Sequence, residues 1–459
     1  MGLINNLFGR KQEEQKVKKN DDIPTNFVLG VHDTFKLKES NDLIVVGPLK
    51  GTTRVGDAVY ISNLGSDTEP TSLSTIISIE KVPNNLTNEA SDCQVALRIE
   101  GGSLLGIRKG TVLYTRTTSV KTVHDAYISA MGDCFVAQME LDIPDSELEQ
   151  FSIADCYEVW RLFSWFQSKT VKGTNEGQNQ INYKKIERVA KQLIKKIFEA
   201  DEIYCVFNKR TGEPNLFSTT KKIEEGYMCM PPDILIFPKS YKSMAEAYFS
   251  KYPYEIKEIK NGESKDGIYN FLGETFYLNG ACGVKVISND VSIASGMLVP
   301  EPNYGDLPEI NIPITNPDLE RWLLLMGQLG NVDDENSKLI YGLYYKFMSK
   351  ELLKARLLVP IQKDGEIPPP NENGATVLDK DVKLKFPIDN GKDDRQAIRM
   401  YTDWKRLRMV YDENWSGLIE PVKDFIDVFD VLLNMTEYYE AGIYISKDSY
   451  YQMEAENKK

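Results

Sequence analysis

Short runs of β-branched and aromatic residues dominate the chain between residues 26 and 118. Turns containing glycine, asparagine or proline separate them. Short apolar runs at this spacing, without a long helical period, are typical of strands in a small closed barrel. The runs read FVLGVHDTF, DLIVVGPL, DAVYIS, STIISIE, CQVALRIE and TVLYTR.

The apolar period becomes helical near residue 120. Apolar side chains at 123, 126, 127, 130 and 131 share one face of a helix, and residues 153–166 predict a second helix. The polar, glycine-bearing stretch 168–182 predicts a surface loop. Residues 119–182 are therefore expected to form a helical connector, followed by an amphipathic helix over 183–200.

A mixed order of helices and strands then occurs twice. Residues 183–296 contain, after that helix, the strand patterns EIYCVF and DILIFP, the helix pattern SMAEAYFSKY and the strand pattern GVKVIS. The proline-rich stretch 297–317 predicts a linker. Residues 318–459 contain a helix over 338–354, then ARLLVPI, KLKFPI, the strand-into-helix element IRMYTDWKRLRMVY, and a last strand with its tail, AGIYISKDSYYQM.

The two mixed blocks are similar in pattern. Residues 233–248 match 396–411, and residues 283–291 match 442–450. The spacing predicts a diverged internal duplication. The expected fold class is a multidomain β and α+β protein, with a small N-terminal β-barrel followed by two α+β modules.

Four stretches of the first block carry a resemblance to a known domain: residues 27–35, 50–62, 75–80 and 107–113. They resemble the second, β-barrel domain of translational GTPases such as elongation factor Tu. Within them, Gly51 and Gly56 permit tight corners, and Asp57 can tie the second turn through backbone hydrogen bonds. The family usually has arginine after a glycine where this chain has Pro48 after Gly47, so the resemblance implies no nucleic-acid contact there.

The C-terminal block resembles the N-terminal-type domain of SseB, the enhanced serine sensitivity protein. The resemblance rests on the helix before LLVPI, the strand–Tyr–Thr–Asp–helix element 398–407, and the closing residues 442–446. Residues 200–291 resemble a second, weaker copy. The family implies an α+β architecture more than an activity.

Charge is distributed unevenly along the 459 residues. The net charge is −13, yet residues 1–118 contain 14 basic and 14 acidic side chains. Residues 119–459 therefore carry the whole net negative charge, which argues against a surface that binds nucleic acid broadly. Residues 1–25 begin with a short apolar run and then basic residues, and we expect a flexible, frayed terminus in preference to an amphipathic membrane or partner hook.

The cysteines indicate a reducing compartment. No two of the six lie within twenty residues of each other, which excludes CxxC motifs and does not suggest a disulfide framework. No apolar run approaches the length of a transmembrane helix. We therefore expect a bacterial cytoplasmic protein with free thiols and no transmembrane segment. The cysteines are Cys93, Cys134, Cys156, Cys205, Cys229 and Cys282.

No motif for a catalytic, cofactor-binding or metal site occurs in the sequence. GxxxxGK[ST], GxSxG, HExxH and an EF-hand loop are all absent, and Thr211 stands where a guanine-specificity motif beginning at Asn208 needs aspartate. The acidic runs at 333–335 and 389–394 predict solvated turns. We therefore predict no catalytic residue, no cofactor, no metal and no enzymatic activity.

Histidines and aromatic residues are the remaining candidates. His32 is expected to be a partly buried strand residue, and His124 a helix-capping or surface residue, in preference to catalytic bases. Two aromatic groups could serve partner binding or base stacking, but helical spacing favours core packing. They are Trp160, Phe163, Trp165 and Phe166, and then Tyr401, Trp404, Tyr411 and Trp415 with Lys405, Arg406 and Arg408 between them.

The missing motifs, the modular resemblance and the acidic surface favour a non-enzymatic protein-interaction or scaffold module with a protein partner. The alternative is a ribosome- or RNA-associated factor that uses the barrel without GTPase activity.

Overall fold

The chain folds into two compact units in the computed structural model. One contains Met1–Ile203, Phe237–Met244 and Val286–Val291, and the other contains Tyr204–Ile236, Ala245–Lys285 and Ser292–Lys459. Nearly all of the terminus predicted to be flexible, 1–25, lies outside the described residues. The structure describes residues 25–63, 73–81, 85–137, 141–170, 176–224, 226–288, 290–305, 307, 312–364, 383–391, 395–437 and 439–458.

The first unit begins with the predicted barrel. Six antiparallel strands close it in the order β1-β9-β4-β5-β8-β3, and β3 pairs back with β1. The sheet that contains these six strands has nine in all: β1 (Phe27–Gly30), β2 (Asp33–Lys36), β3 (Leu43–Arg54), β4 (Ala58–Ser62), β5 (Leu73–Lys81), β6 (Asn85–Thr87), β7 (Glu89–Ser91), β8 (Gln94–Ile99) and β9 (Val112–Tyr114).

The long strand β3 closes the barrel. One of its edges pairs with β2 and then β1, and the other pairs with β8 and then β7. Its burial alternates from Leu43 to Leu49, as a strand with one face inward requires. Leu29, Val45, Ile79 and Leu97 are fully buried in the resulting aliphatic core.

Two glycines shape the barrel, although only one lies at a corner between strands. Gly56 follows β3 at φ +93°, with open space around it. Gly51 lies inside β3 at φ +86°, where an added Cβ would come within 2.1 Å of the Asn26 carbonyl oxygen. Asp57 ties the turn as expected, because its Oδ2 accepts from the Arg54 backbone N–H at 2.7 Å.

Helices complete the first unit. They are α1 (Val120–Phe135), α2 (Asp145–Leu148), α3 (Ile153–Thr170) and α4 (Glu176–Glu199). The Ser119 side chain caps α1 by accepting from the Thr122 N–H. The sequence predicts a loop over 168–182, but both ends of that prediction are wrong, because α3 extends to Thr170 and α4 begins at Glu176. Glutamate and glutamine in this stretch are good helix formers, and they extend α4 backward past its glycine.

Two α+β modules make up the second unit, apart from residues 202–203, 237–244 and 286 of the first module, which belong to the first unit. The first module has a sheet in the order β14-β10-β13-β15-β16 and a separate β11–β12 hairpin. Its elements are β10 (Glu202–Asn208), β11 (Thr220–Ile223), β12 (Gly226–Cys229), β13 (Asp233–Phe237), α5 (Lys242–Phe249), β14 (Tyr254–Lys260), α6 (Gly267–Tyr277), β15 (Gly283–Val286), β16 (Ser292–Ala294) and α7 (Ser295–Leu298).

The second module contains two helices followed by two short sheets and a last helix. Its elements are α8 (Pro317–Leu329), α9 (Glu335–Leu352), β17 (Leu357–Asp364), β18 (Lys383–Lys385), β19 (Ile388–Asn390), β20 (Gln396–Met400), α10 (Trp404–Arg408), β21 (Ser416–Glu420), β22 (Asp430–Leu433), β23 (Ile443–Ile445) and α11 (Lys447–Asn457).

The tail of the second module differs from the expectation. The sequence predicts a last strand and a tail, whereas residues after Ser446 form α11. The Ser446 side chain caps this helix by accepting from the Ser449 N–H at 3.2 Å. Serine is a typical N-cap residue, so Ser446 indicates the start of a helix, but the strand pattern just before it led to the prediction of a tail.

The two modules share one strand order. In the second module β21 pairs with β17, and β20 lies between β19 and β22, which pairs with β23. Backbone hydrogen bonds between Leu358 and Tyr401 join β17 to β20. The order β21-β17-β20-β22-β23 therefore corresponds to β14-β10-β13-β15-β16. It equates β15 with β22, so the predicted match of 283–291 to 442–450 is one strand out of register.

Within the described residues, none of the helices is both long enough and apolar enough to cross a membrane.

We predict that Gly51→Ala destabilises the barrel far more than Gly56→Ala. Both alanines adopt a positive φ, which costs on the order of 1–3 kcal/mol, but only the first also collides with backbone. Hydrogen exchange of barrel peptides in the full chain measures the difference. Equal protection in the two variants would contradict this assignment.

Candidate functional site

The short helix α10 positions the most unusual side chain of the second unit. Asp403 caps α10 by accepting from the Arg406 backbone N–H at 3.0 Å, and it lies three positions after the end of β20. The cap directs the helix so that the Arg406 side chain is fully buried. A buried guanidinium requires anionic partners, because removing its charge from water is costly.

Arg406 has these partners on both α+β modules. Its Nη1 donates to Asp403 at 3.1 Å, and its Nη2 donates to the Asn279 Oδ1 at 2.5 Å. The same Nη2 lies 3.5 Å from a carboxylate oxygen of Glu213 and 3.5 Å from one of Glu320. Asn279 and Glu213 belong to the first module, so the guanidinium ties the two modules together.

Glu320 on α8 is a second fully buried ionisable side chain near Arg406. Its Oε2 accepts from Thr402 Oγ1 at 2.9 Å and from Asn434 Nδ2 at 2.7 Å, and its Oε1 accepts from the Tyr439 hydroxyl. Burial raises the pKa of Glu320, although Arg406 opposes that shift. Every described contact of this carboxylate is with a residue of the second module.

Glu213 completes the group, which we call the Arg406 cluster: Glu213, Asn279, Glu320, Thr402, Asp403, Lys405, Arg406, Asn434 and Tyr439. Burial works against ionisation of Glu213, but Arg406 and Lys405 together hold its pKa below the ordinary value. Lys405 Nζ lies 3.0 Å from Glu213 Oε1. The three carboxylates of the cluster thus pair with its two cations, an arrangement that suits a joint between modules better than acid–base chemistry.

A cleft of about 750 Å³ opens beside the cluster, and two of its lining residues, Glu213 and Tyr439, belong to the cluster. This volume is within the range of ligand-binding pockets. Its walls come from both modules of the second unit. The lining residues are Thr211, Gly212, Glu213, Pro387, Asp389, Arg399, Met409, Val410, Tyr411, Thr436, Glu437 and Tyr439.

One ion pair and one apolar wall define the interior of the cleft. Arg399 Nε donates to Asp389 Oδ2 at 2.5 Å, and Arg399 Nη1 donates to the Met435 carbonyl oxygen at 2.9 Å. Met409 and Val410 follow α10 and remain 44% and 41% exposed. The sequence places Asp389 in a solvated turn, but it lies in β19 and pairs with a neighbouring strand.

The aromatic candidates of the second module are mostly core residues. Tyr401 and Tyr411 are buried with Leu358 and Leu407, and Trp415 packs against them. Trp404 is 36% exposed and is covered by the Arg408 guanidinium at 4.9 Å from its ring centroid. Arg406 and Lys405 lie in the cluster, so these cations are not available to stack on bases.

The aromatic candidates of α3 divide in the same way. Phe163 is fully buried, Trp160 and Phe166 are half-buried, and Trp165 is 45% exposed. Trp165 and Phe166 contact each other edge to face at 4.9 Å between centroids. They lie in the first unit, separate from the cleft.

The two histidines lie in the first unit and do not form a common site within its described residues. His32 is half-buried, as expected, but it lies between β1 and β2 instead of within a strand, with Nε2 3.5 Å from the Asp133 carboxylate. The expectation of a capping or surface role for His124 is wrong, because it is buried on the face of α1 that also carries Val123 and Tyr127. Its Nε2 lies 3.4 Å from the Tyr241 hydroxyl, and burial lowers its pKa to about 4.

No group of side chains suited to hold a metal ion occurs in the part of the chain that the structure describes. All six cysteines are free, and burial raises the pKa of the Cys134 thiol to about 12. A thiol with so high a pKa is a poor nucleophile.

Sequence reasoning missed the Arg406 cluster and the cleft. Two local signals point to the cluster: a charge at Glu320 amid the apolar face of α8, and the cap residue Asp403 three positions before Arg406. No sequence signal relates Glu213 or Asn279 to Arg406, because the contact spans 193 and 127 positions of the chain.

Comparison with known proteins identifies the second module. Residues 346–443 match the family model described as SseB protein N-terminal domain. This match confirms the C-terminal SseB prediction, and it includes Arg406 and the cleft residues from Pro387 to Tyr439. No curated protein matches the chain.

One similar solved structure is that of translation elongation factor SelB from Methanococcus maripaludis in its apo form. It is 20% identical over 22% of this chain and 21% of that chain, with a TM-score of 0.18. The chain therefore spans about a fifth of the length of that protein.

We predict that Arg406→Ala lowers the unfolding free energy of the second unit by about 3–5 kcal/mol, since it leaves buried carboxylates without their cation. Lys354, whose side chain is 68% exposed and pairs with Glu351, supplies the control, and Lys354→Ala is expected to cost under about 1 kcal/mol. Urea denaturation of the full chain measures both. Similar losses in the two variants would contradict a structural role for the cluster.

We predict that His124 stays neutral down to a pH near 4. A fall in pKa from 6.5 to about 4 means that the folded first unit favours the neutral ring. This contribution, on the order of 3 kcal/mol, is fully present above pH 6.5 and is lost as the pH falls towards 4. An NMR titration of the two histidines, assigned with His124→Gln, checks it, and a midpoint at or above 6.5 would disprove it.

Proposed function

We propose that the chain is a non-enzymatic protein-interaction module of the bacterial cytoplasm, and that the cleft of the second unit is its docking site. The observation that carries the proposal is the exposed apolar pair Met409 and Val410, which lines a cleft beside the mutually paired charges of the Arg406 cluster. Exposed apolar side chains beside a concave surface favour partner binding.

The state of the ionisable groups supports binding over catalysis. A catalytic acid or base needs a proton that it can exchange with a substrate. Glu320 accepts three hydrogen bonds from side chains of its own module, and Glu213 is held by Lys405, Arg406 and Asn279. Arg399 is likewise engaged by Asp389.

The charge of the barrel argues against the alternative that the chain binds RNA through this domain. Residues 25–118 contain nine basic and ten acidic side chains. Several of the basic ones pair with carboxylates, including Arg54 with Glu89 and Arg98 with Asp42. RNA binding through phosphates needs clustered, unpaired positive charge.

A diverged internal duplication is part of the same proposal. The shared strand order of the two α+β modules supports the interpretation that residues 183–296 are a second SseB-like copy. In this interpretation the Arg406 cluster is a contact between the two copies, and the cleft is built from both.

We predict that Val410→Asp abolishes partner capture from a bacterial lysate, because a charge enters the apolar wall. Val428→Asp is the matched control, since Val428 is 66% exposed in the same unit and does not line the cleft. Each capture is performed with and without nuclease, and the retained proteins and RNA are identified.

Proteins retained by wild type and Val428→Asp, resistant to nuclease and lost with Val410→Asp, would support the proposal. An identical set of proteins in all three samples would overturn it. Retention that depends on intact RNA would favour the ribosome- or RNA-associated alternative instead.

A further inference from the structure

Most of the negative charge of the chain lies in the second unit. Tyr204–Ile236, Ala245–Lys285 and Ser292–Lys459 contain 29 lysines and arginines against 39 aspartates and glutamates, a net charge of −10. The first unit accounts for the remaining −3. A partner of the second unit therefore approaches an acidic surface, and a positive partner is attracted to it.

Arg210, Arg399 and Arg408 offer no unpaired guanidinium to an anionic ligand, because each already pairs with a carboxylate. Arg399 is held by Asp389 inside the cleft. At its margin, Arg210 Nη1 lies 3.3 Å from Glu440, and Arg408 Nη2 lies 3.4 Å from Glu413. An anionic ligand would have to break one of these pairs to gain a cation.

Two carboxylates beside the cleft are differently placed. Glu437 lines the cleft and is exposed, and Asp412 directly follows the lining residue Tyr411. Neither forms an ion pair with another described residue of the chain. Asp412 accepts hydrogen bonds from the backbone and side chain of Asn414, so Glu437 is the carboxylate of the cleft that is better placed to accept a cationic side chain.

The apolar wall lines the same cleft as Glu437 and lies next to Asp412 in the chain. Met409 and Val410 precede Asp412 by three and two positions, and Pro387 and Tyr411 add further apolar surface. Methionine adapts its shape to different ligands, which suits a surface for a flexible segment. The lining of the cleft thus combines apolar side chains with the exposed carboxylate of Glu437.

We propose that the occupant of the cleft is a polypeptide segment in which lysine or arginine stands beside apolar side chains. Its apolar side chains contact Met409 and Val410, and its cationic side chain pairs with Glu437. This inference rests on the proposed function and specifies the chemistry of the partner. Charge complementarity of this kind sets specificity and association rate more than total affinity.

The test uses a phage-displayed library of random short peptides selected on the immobilised full chain. Peptides are then synthesised and their affinities measured against wild type, Val410→Asp, Glu437→Gln, Glu437→Lys and Glu456→Lys. Glu456→Lys makes the same change in net charge on α11, which does not line the cleft. It separates a local pairing from a general electrostatic effect.

We expect the selected peptides to contain lysine or arginine beside apolar residues. Glu437→Lys should weaken their binding by about tenfold or more, Glu437→Gln by less, and Glu456→Lys by less than about twofold. Added salt should weaken binding to wild type more than binding to Glu437→Lys.

The contrary outcomes separate the two proposals. Peptides that are neutral or acidic but still lose binding with Val410→Asp would overturn the basic occupant and leave the docking site intact. Equal losses with Glu437→Lys and Glu456→Lys would also overturn it. Peptides whose binding is unaffected by Val410→Asp would overturn the docking site itself.

Discussion

The buried guanidinium of Arg406 is the constraint on which the second unit depends. A charged group that is removed from water needs anionic or hydrogen-bonding partners in direct contact with it. The partners of Arg406 are Glu213, Asn279, Glu320 and Asp403, and they therefore have to meet at one point. Because these residues come from both α+β modules, satisfying the guanidinium fixes how the modules face each other. Hydrophobic packing alone tolerates more relative displacement than a set of directed hydrogen bonds does.

The cleft follows from that constraint. Glu213 and Tyr439 belong to the Arg406 cluster and also line the cleft, so one set of bonds orders both. Asp403 lies three positions after β20 and caps α10, and Met409 and Val410 directly follow that helix. A rigid floor with an exposed apolar wall lowers the ordering cost of binding a partner segment.

Local patterns predicted what local physics determines. The alternation in β3, the turn at Gly56 and Asp57, and the strand-into-helix element around Asp403 could all be read from neighbouring residues. The internal correspondence went one strand out of register at β15, because short apolar strands look alike without their partners. The cluster and the cleft could not be predicted, since Glu213 and Arg406 meet only after both modules have folded.

The most direct measurement concerns Asn279, which donates to Glu213 at 3.0 Å and accepts from Arg406 but does not line the cleft. If the Arg406 cluster holds the cleft in its binding shape, Asn279→Ala weakens the affinity of a peptide selected on the wild type by about tenfold, while the folded fraction stays high. Unchanged affinity in a folded Asn279→Ala chain would contradict the dependence of the cleft on the cluster.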